Sequence, residues 1–321
     1  MTILGWNCRS AGDHRTVQEL DRLVHTHRPK FVFLCETRRN NVIVERLRWI
    51  LGLKHCVAHH EPGKGGGLAL FWDESIEVEL NKIGDRIIDV IVHDMPKGIK
   101  WRCTFVYGEP RTHLGHLFWD LLRNMKPMLN IPWLMVGDFN EAMCQDENFS
   151  ARKSGEKQMR DFRETLSFCN LHDLGFVGKP WTYDNKQLGA RNVRVRLDRA
   201  VACQGWMDCF PDYHVQHLTS PRSDHCPLLI SLFKKTNGKP THRINRYDDH
   251  WEKEASLADH IEQTWAMYRK PTNLGDIATN LSGAMDSLQS WSKQTVSSVV
   301  ERIEKLRKEL NRTSTSRDIH S

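Results

Sequence analysis

A chain of 321 residues, 39% of them apolar, can bury a full core and still carry a smaller second body. Its net charge of +6 suits a polyanionic partner such as nucleic acid, although many proteins of neutral ligands are as basic. No apolar run approaches the ~20 residues that cross a bilayer. The chain also opens directly on a strand pattern, with no basic region and apolar leader, so a secreted or membrane-anchored product is disfavoured and an intracellular one expected. The nine cysteines include no C-x-x-C pair and mostly lie in or beside apolar runs. They read as reduced core residues, not as a zinc site or a disulfide framework.

In chain order, Thr2 to Trp6 reads as a buried strand and ends on Asn7. Val17, Leu20, Leu23, Val24 and His27 then share one helical face. Phe31 to Cys35 is a second strand, closed by Glu36-Thr37. Gly67–Trp72 and Ile87–His93 are further strands, and Cys103 to Tyr107 runs into Gly108. Leu114, Leu117, Phe118, Leu121, Leu122 and Met125 form a second helical face. Trp133 to Val136 leads into Gly137-Asp138-Phe139-Asn140. Met159, Phe162, Leu166 and Cys169 repeat the helical spacing, and Val195 to Leu197 reads as a strand ending on Asp198-Arg199. Strands at Tyr213–Leu218 and Leu228–Phe233 flank Ser223-Asp224-His225. This mixture implies an α/β fold, two packed sheets with helices outside.

After Phe233 the texture changes, giving domains at 1–233 and 251–321 joined by a polar linker at 234–250. The tail is helical, with a stripe of Trp251, Ala258, Ile261 and Trp265. A last helix carries Val296, Val299, Ile303, Leu306 and Leu310. It is too short for a stable coiled coil alone, so it needs something to pack on, such as a helix-mediated protein contact.

Polar groups closing buried strands cannot be core filler, and several strand ends can converge on one pocket. The set of amides, carboxylates, a phenol and an imidazole suits one divalent cation and a phosphodiester. Glu36 is the best metal carboxylate, Asn7 can orient it or add an amide oxygen, and Asp224 offers a second carboxylate. Asp138 and Asn140, two apart on an extended stretch, face the same side. Asp198 is either an orienting partner or one half of an ion pair with Arg199. Thr182 is either a site hydroxyl or a plain strand residue. The segment Asp184 to Arg196, with Lys186, Arg191 and Arg194, is either a solvated loop or a hairpin lying along a DNA groove.

The motifs Gly5-Trp6-Asn7-Cys8-Arg9, Gly66-Gly67-Leu68-Ala69-Leu70-Phe71-Trp72, Asp173-Leu174-Gly175-Phe176 and Ser223-Asp224-His225-Cys226-Pro227-Leu228 resemble a known family. Taken in order with Gly137-Asp138-Phe139-Asn140, they resemble the endonuclease/exonuclease/phosphatase superfamily. The likeness is greatest to the apurinic-type endonuclease domain of plant non-LTR (LINE-type) retrotransposons. The resemblance implies a four-layered α/β sandwich and a Mg²⁺-dependent DNA endonuclease, with Mn²⁺ as a substitute, that nicks one strand in the nucleus. It implies metal binding by Glu36, Asn7 and Asp224, and an acid/base role for Asp138. Asn140, Tyr107 and His225 would contact the phosphate, with Asp198 holding the His225 ring. Thr182 and Ser223 match positions that bind phosphate or support the site. The basic hairpin would influence target choice, and residues 251–321 resemble the connector to a reverse transcriptase missing here. Two departures from the habitual wording, Arg9-Ser10-Ala11-Gly12 and the stretch Asn148 to Glu156, suggest drift in a decayed element copy. Two alternatives remain open. One is a phosphatase or phosphodiesterase on a small substrate such as a phosphoinositide, against which Arg196-Leu197-Asp198-Arg199 argues. The other is an inactive nucleic-acid-binding remnant.

Overall fold

Alternation of apolar side chains along the strands builds two sheets that share one inner core. The computed structural model describes residues 1–61, 66–94, 98–126, 131–151, 153, 155–233, 251, 254, 256–268, 271 and 274–295. The chain divides into two compact units, residues 1–235 and 236–321. In the first unit the strands run β1 (Thr2–Asn7), β2 (Phe31–Cys35), β3 (His55–His59), β4 (Leu68–Trp72), β5 (Glu77–Ile83), β6 (Ile87–Asp94) and β7 (Ile99–Tyr107). They continue with β8 (Trp133–Asp138), β9 (His172–Asp173), β10 (Tyr183–Asp184), β11 (Arg194–Val195), β12 (Asp198–Ala202), β13 (His214–His217) and β14 (Leu228–Ser231). The helices are α1 (His14–His27), α2 (Asn41–Leu51), α3 (Gly115–Asn124), α4 (Glu156–Phe168) and α5 (Gln204–Cys209).

One six-stranded sheet has the order β13-β14-β1-β2-β4-β3 and the other β5-β6-β7-β8-β12-β9, while β10 and β11 form a separate ribbon. Only β1–β2 and β7–β8 pair in parallel; every other named strand pair is antiparallel. Each sheet thus has one parallel pair, whose strands finish at the same end.

Period two decides which side chains meet. Ile3, Phe31, Phe33 and Leu70 face inward against Val90, Cys103, Phe105 and Val136 of the other sheet. Their neighbours Leu4, Val32, Leu34 and Phe71 face outward under α1 and α2. On the far side, Val106, Met135 and Val201 pack beneath Phe118 and Leu122 of α3 and Phe162 and Leu166 of α4. Each such fully buried side chain contributes about 1.5–3 kcal/mol. The result is the expected four-layered α/β sandwich. Gly5 lies on the inner face of β1, where an added Cβ would come within 3.3 Å of Val136 Cγ1, so the sheets approach closely there.

Several local expectations need correction. Leu117 is exposed, and the buried face of α3 is Phe118, Trp119 and Leu122. Asp198 begins β12 and does not end a strand; the run from Val195 to Leu197 passes from the ribbon into the second sheet. Helix α2 has sequence signals that periodicity missed: Asn40 Oδ1 accepts from the Ile43 amide, and Gly52 closes the helix in a left-handed conformation.

In the second unit, α6 (Leu257–Ala266) packs on α7 (Leu274–Thr295). Trp251, Leu257, Leu288 and Trp291 form its small core, with Ile261 and Met285 against it. Ala258 and Trp265, expected on the buried stripe, are exposed. The linker at 234–250 and the stripe from Val296 to Leu310 lie outside the described residues.

Candidate active site

The inward-facing register that buries Ile3, Phe33, Cys103, Leu134 and Ala200 also sets the positions of Asn7, Cys35, Tyr107, Asp138 and Asp198. Asn7 pairs in register with Cys35, and Tyr107 with Asp138. Asp198 opens an antiparallel strand directly opposite Asp138. His225 lies just before β14, which runs antiparallel to β1, so it returns to the same end. The chemistry-bearing groups therefore collect at one rim of the sandwich, across the seam between the sheets.

Asn7 bridges that seam. Its Nδ2 donates to Glu36 Oε1 and to Asp138 Oδ2, both at 3.0 Å. The Tyr107 hydroxyl donates to the same Glu36 oxygen at 3.1 Å. Glu36 has φ 53, Arg38 φ 51, Asn140 φ 55 and Arg9 φ 58, so four residues at the rim hold a left-handed backbone that costs non-glycine residues on the order of 1–3 kcal/mol each. At Gly137, φ is 147 and an added Cβ would lie 2.1 Å from Val106 O, so only glycine fits before Asp138.

His225 Nδ1 donates to Asp198 Oδ2 at 2.8 Å and lies 3.8 Å from Asp138 Oδ2. All three groups are buried. Burial opposes the imidazolium, but Asp198 and Asp138 outweigh it and raise the His225 pKa to about 9. Burial, then repulsion from Asp198, pushes Asp138 up to about 6, with His225 and Asn7 pulling against them. Glu36 moves the other way: burial favours its neutral form, yet the Asn7 amide and the guanidinium groups of Arg9 and Arg38 hold it below the usual carboxylate range.

The remaining expected residues take varied places. Asn140 donates from its backbone amide to Asp138 Oδ1 at 2.8 Å and from Nδ2 to Gly108 O at 2.9 Å. Thr182 is fully buried; its hydroxyl accepts the amides of Leu197 and Asp198. Ser223 is buried too, donating to Asn7 O and accepting from the His225 amide. Of the two roles expected for them, these contacts agree with support of the site: Thr182 holds the backbone at Asp198, and Ser223 ties Asn7 to His225. Arg199 does not pair with Asp198: it is buried against Glu147 and Asp173, which Arg196 also contacts.

Tyr183 and Arg194 belong to the β10–β11 ribbon, so the segment is a hairpin. Its base is fixed to the loop carrying Asp224: the Asp184 amide donates to Asp224 O, and Lys186 Nζ donates to the carbonyls of Pro221 and Ser223. Arg194 pairs with Asp184 and covers Trp181. Leu188 and Arg191 are exposed toward its tip.

Two site residues escaped sequence reasoning. Arg9 Nη2 lies 2.5 Å from Asp224 Oδ2, and its Nη1 lies 3.6 Å from Glu36 Oε2. Arg38 also pairs with Glu36. Glu36 and Asp224 thus face one cation, the guanidinium of Arg9. Together with the Asn7 amide oxygen they form an all-oxygen set, which suits a hard cation such as Mg²⁺. Asp138, Asp198 and His225 also cluster, with ligand atoms within 4.8 Å of one another, and are a second group that could hold a cation.

A model of the Endonuclease/Exonuclease/phosphatase family matches residues 4–225, and the chain belongs to that family of phosphoester hydrolases. Solved structures with the same fold include the 3′ phosphatase NExo (D146N) from Neisseria bound to product DNA hairpin. It is 17% identical at TM-score 0.56, covering 72% of this chain and 98% of that one. An AP endonuclease from Archaeoglobus fulgidus is 19% identical at TM-score 0.55, covering 73% and 99%. The endonuclease domain of TRAS1, a telomere-specific non-LTR retrotransposon, is 16% identical at TM-score 0.53, covering 71% and 96%. No curated protein matches the sequence. No helix among the described residues is long and apolar enough to cross a membrane.

Proposed function

We propose that this protein is a metal-dependent DNA endonuclease that nicks one strand, derived from a retroelement and acting in the nucleus. The observation that carries the reading is the continuous connection from Glu36 through Asn7 to Asp138, beside the Asp198–His225 pair. It links a cation site to an acid/base site across the seam. Glu36, Asp224 and the Asn7 amide oxygen would hold Mg²⁺ or Mn²⁺. Bound there, the ion would offset negative charge on the phosphate and on the departing oxygen.

The chain's own groups do the rest. Water adds to phosphorus and the bond to the leaving oxygen breaks. Ionised Asp138 accepts the water's proton and returns it to the departing oxygen, while protonated His225, held by Asp198, donates a hydrogen bond to a phosphate oxygen. Asn140 and Tyr107 lie at the same rim, where their donors reach the phosphate once they leave Gly108 O and Glu36.

Supercoiled plasmid should convert to open circle with Mg²⁺ or Mn²⁺ and remain supercoiled in EDTA. Equal cleavage in EDTA would sink the metal-dependent reading. Asp138→Asn and His225→Ala should each lower turnover by about 10²–10⁴-fold while leaving DNA binding intact. Near wild-type rates in both variants would mean the site is assigned wrongly. Phosphate release from a small phosphorylated ester, without nicking, would favour the phosphatase reading instead.

A further inference from the structure

Arg9 sits where the proposed chemistry has no evident use for a positive side chain. Its guanidinium reaches both carboxylates of the cation site, at 2.5 Å from Asp224 Oδ2 and 3.6 Å from Glu36 Oε2. Its own amide donates to Asn7 Oδ1 at 3.3 Å, so one residue engages all three oxygen donors of the site. Arg38 reaches only Glu36 of the two carboxylates. Arg9 is also held in a left-handed backbone conformation, φ 58, which an arginine adopts only at a cost. The Arg9 side chain is 41% exposed, whereas those of Glu36 and Asp224 are 8% and 16% exposed. The guanidinium therefore approaches the buried acids from the solvent side, the side from which a phosphate must arrive.

We propose that Arg9 competes with the divalent cation for Glu36 and Asp224, and that a DNA phosphate relieves the competition by taking the guanidinium over. The inference rests on the cation site of the proposed function. Two positive charges drawn to the same pair of carboxylates repel each other, so the ion's entry weakens the hold of those acids on Arg9. A displaced guanidinium beside a phosphate forms a charge-assisted, two-pronged contact. Metal and DNA then bind with positive coupling, and each raises the other's affinity by the same factor. Loading of the ion is thereby tied to the presence of substrate.

Mn²⁺ binding to the full chain, read by electron paramagnetic resonance of the free ion, tests this without reference to cleavage. The variants are Arg9→Gly, which accepts the left-handed backbone, and Arg9→Lys, which keeps the charge. An uncleavable phosphorothioate duplex supplies the DNA. Without DNA, Arg9→Gly should bind Mn²⁺ about three- to ten-fold more tightly than wild type, a modest factor because the guanidinium is partly solvated. Duplex should tighten Mn²⁺ binding to wild type and to Arg9→Lys, but much less to Arg9→Gly. Glu36→Gln serves as the control for the site itself. If Mn²⁺ binds and Glu36→Gln abolishes binding, yet Arg9→Gly leaves affinity and coupling unchanged, the competition is overturned and the cation site stands. If Glu36→Gln has no effect on Mn²⁺ binding, the cation site is wrong and the role of Arg9 falls with it.

Discussion

Asp138 and Asp198 face each other across two antiparallel strands with His225 between them. Two buried like charges at that separation are tolerable only because the imidazolium neutralises one of them. The signs follow directly. If Asp138 acts as a carboxylate and His225 as an imidazolium, as proposed, activity should fall as pH drops through about 6 and again as pH rises through about 9. A raised imidazole pKa also contributes stability that is complete below its ordinary 6.5 and is lost as pH climbs through about 9. Asp198→Asn removes the nearer negative partner and should move the alkaline limb of kcat/KM toward neutrality. A limb that stays near its wild-type position would show that Asp198 does not hold the proton on His225.

Among the elements, the β10–β11 hairpin divides its basic residues between two tasks. Lys186 is spent on the carbonyls of Pro221 and Ser223, clasping the loop that presents Asp224 and His225. Arg191 is exposed toward the tip. Arg191→Ala should weaken DNA binding and lower the salt slope by about 0.9, the share of one phosphate contact on B-DNA. Lys186→Met should instead reduce turnover and leave the slope nearly unchanged. Affinity measured at several salt concentrations, alongside single-turnover rates, separates the two; equal slope changes would contradict this division. The hairpin also shows what the sequence could reveal. Its polarity, Gly189 and flanking apolar residues gave the turn, but the contacts of the Asp184 amide and Lys186 with a distant loop, such as Lys186 to Pro221, leave no local trace. The same holds for Asp198. Both the ribbon and the second sheet are extended, so the crossing between them at Arg196-Leu197 is invisible to alternation.

For the whole molecule, strand-end motifs were legible because buried strands are short apolar runs, and a polar group closing one stands out. Alternation accounts for the inward positions of Asn7, Tyr107 and Asp138, but not for Glu36, which follows inward-facing Cys35 with a φ of 53. Arg9 and Arg38 were not legible, since an arginine in a loop ordinarily means only solubility, and what distinguishes these two is a backbone conformation and acids brought from Glu36 and Asp224. In the second unit Trp251 and Ile261 were on the expected stripe, but the partner face was passed over, although Leu281, Met285, Leu288 and Trp291 of α7 follow at helical spacing. Nothing local, finally, tells two sheets how far apart to stand.

Gly5 answers that last question with a missing methyl group. A methyl there would press on Val136 at 3.3 Å and ease the sheets apart by a few tenths of an ångström. The sandwich would survive, at a cost of about 1–3 kcal/mol for overpacking. The Asn7–Asp138 bond across the same seam, at 3.0 Å, has less room to give. Gly5→Ala should therefore keep a cooperative unfolding transition while turnover drops about ten-fold, since small misplacements of reacting groups are costly; full turnover in a folded variant would contradict it. In a lineage accumulating random changes, the reaction would then perish before the architecture, and descendants could retain the shape of a nuclease long after losing its trade.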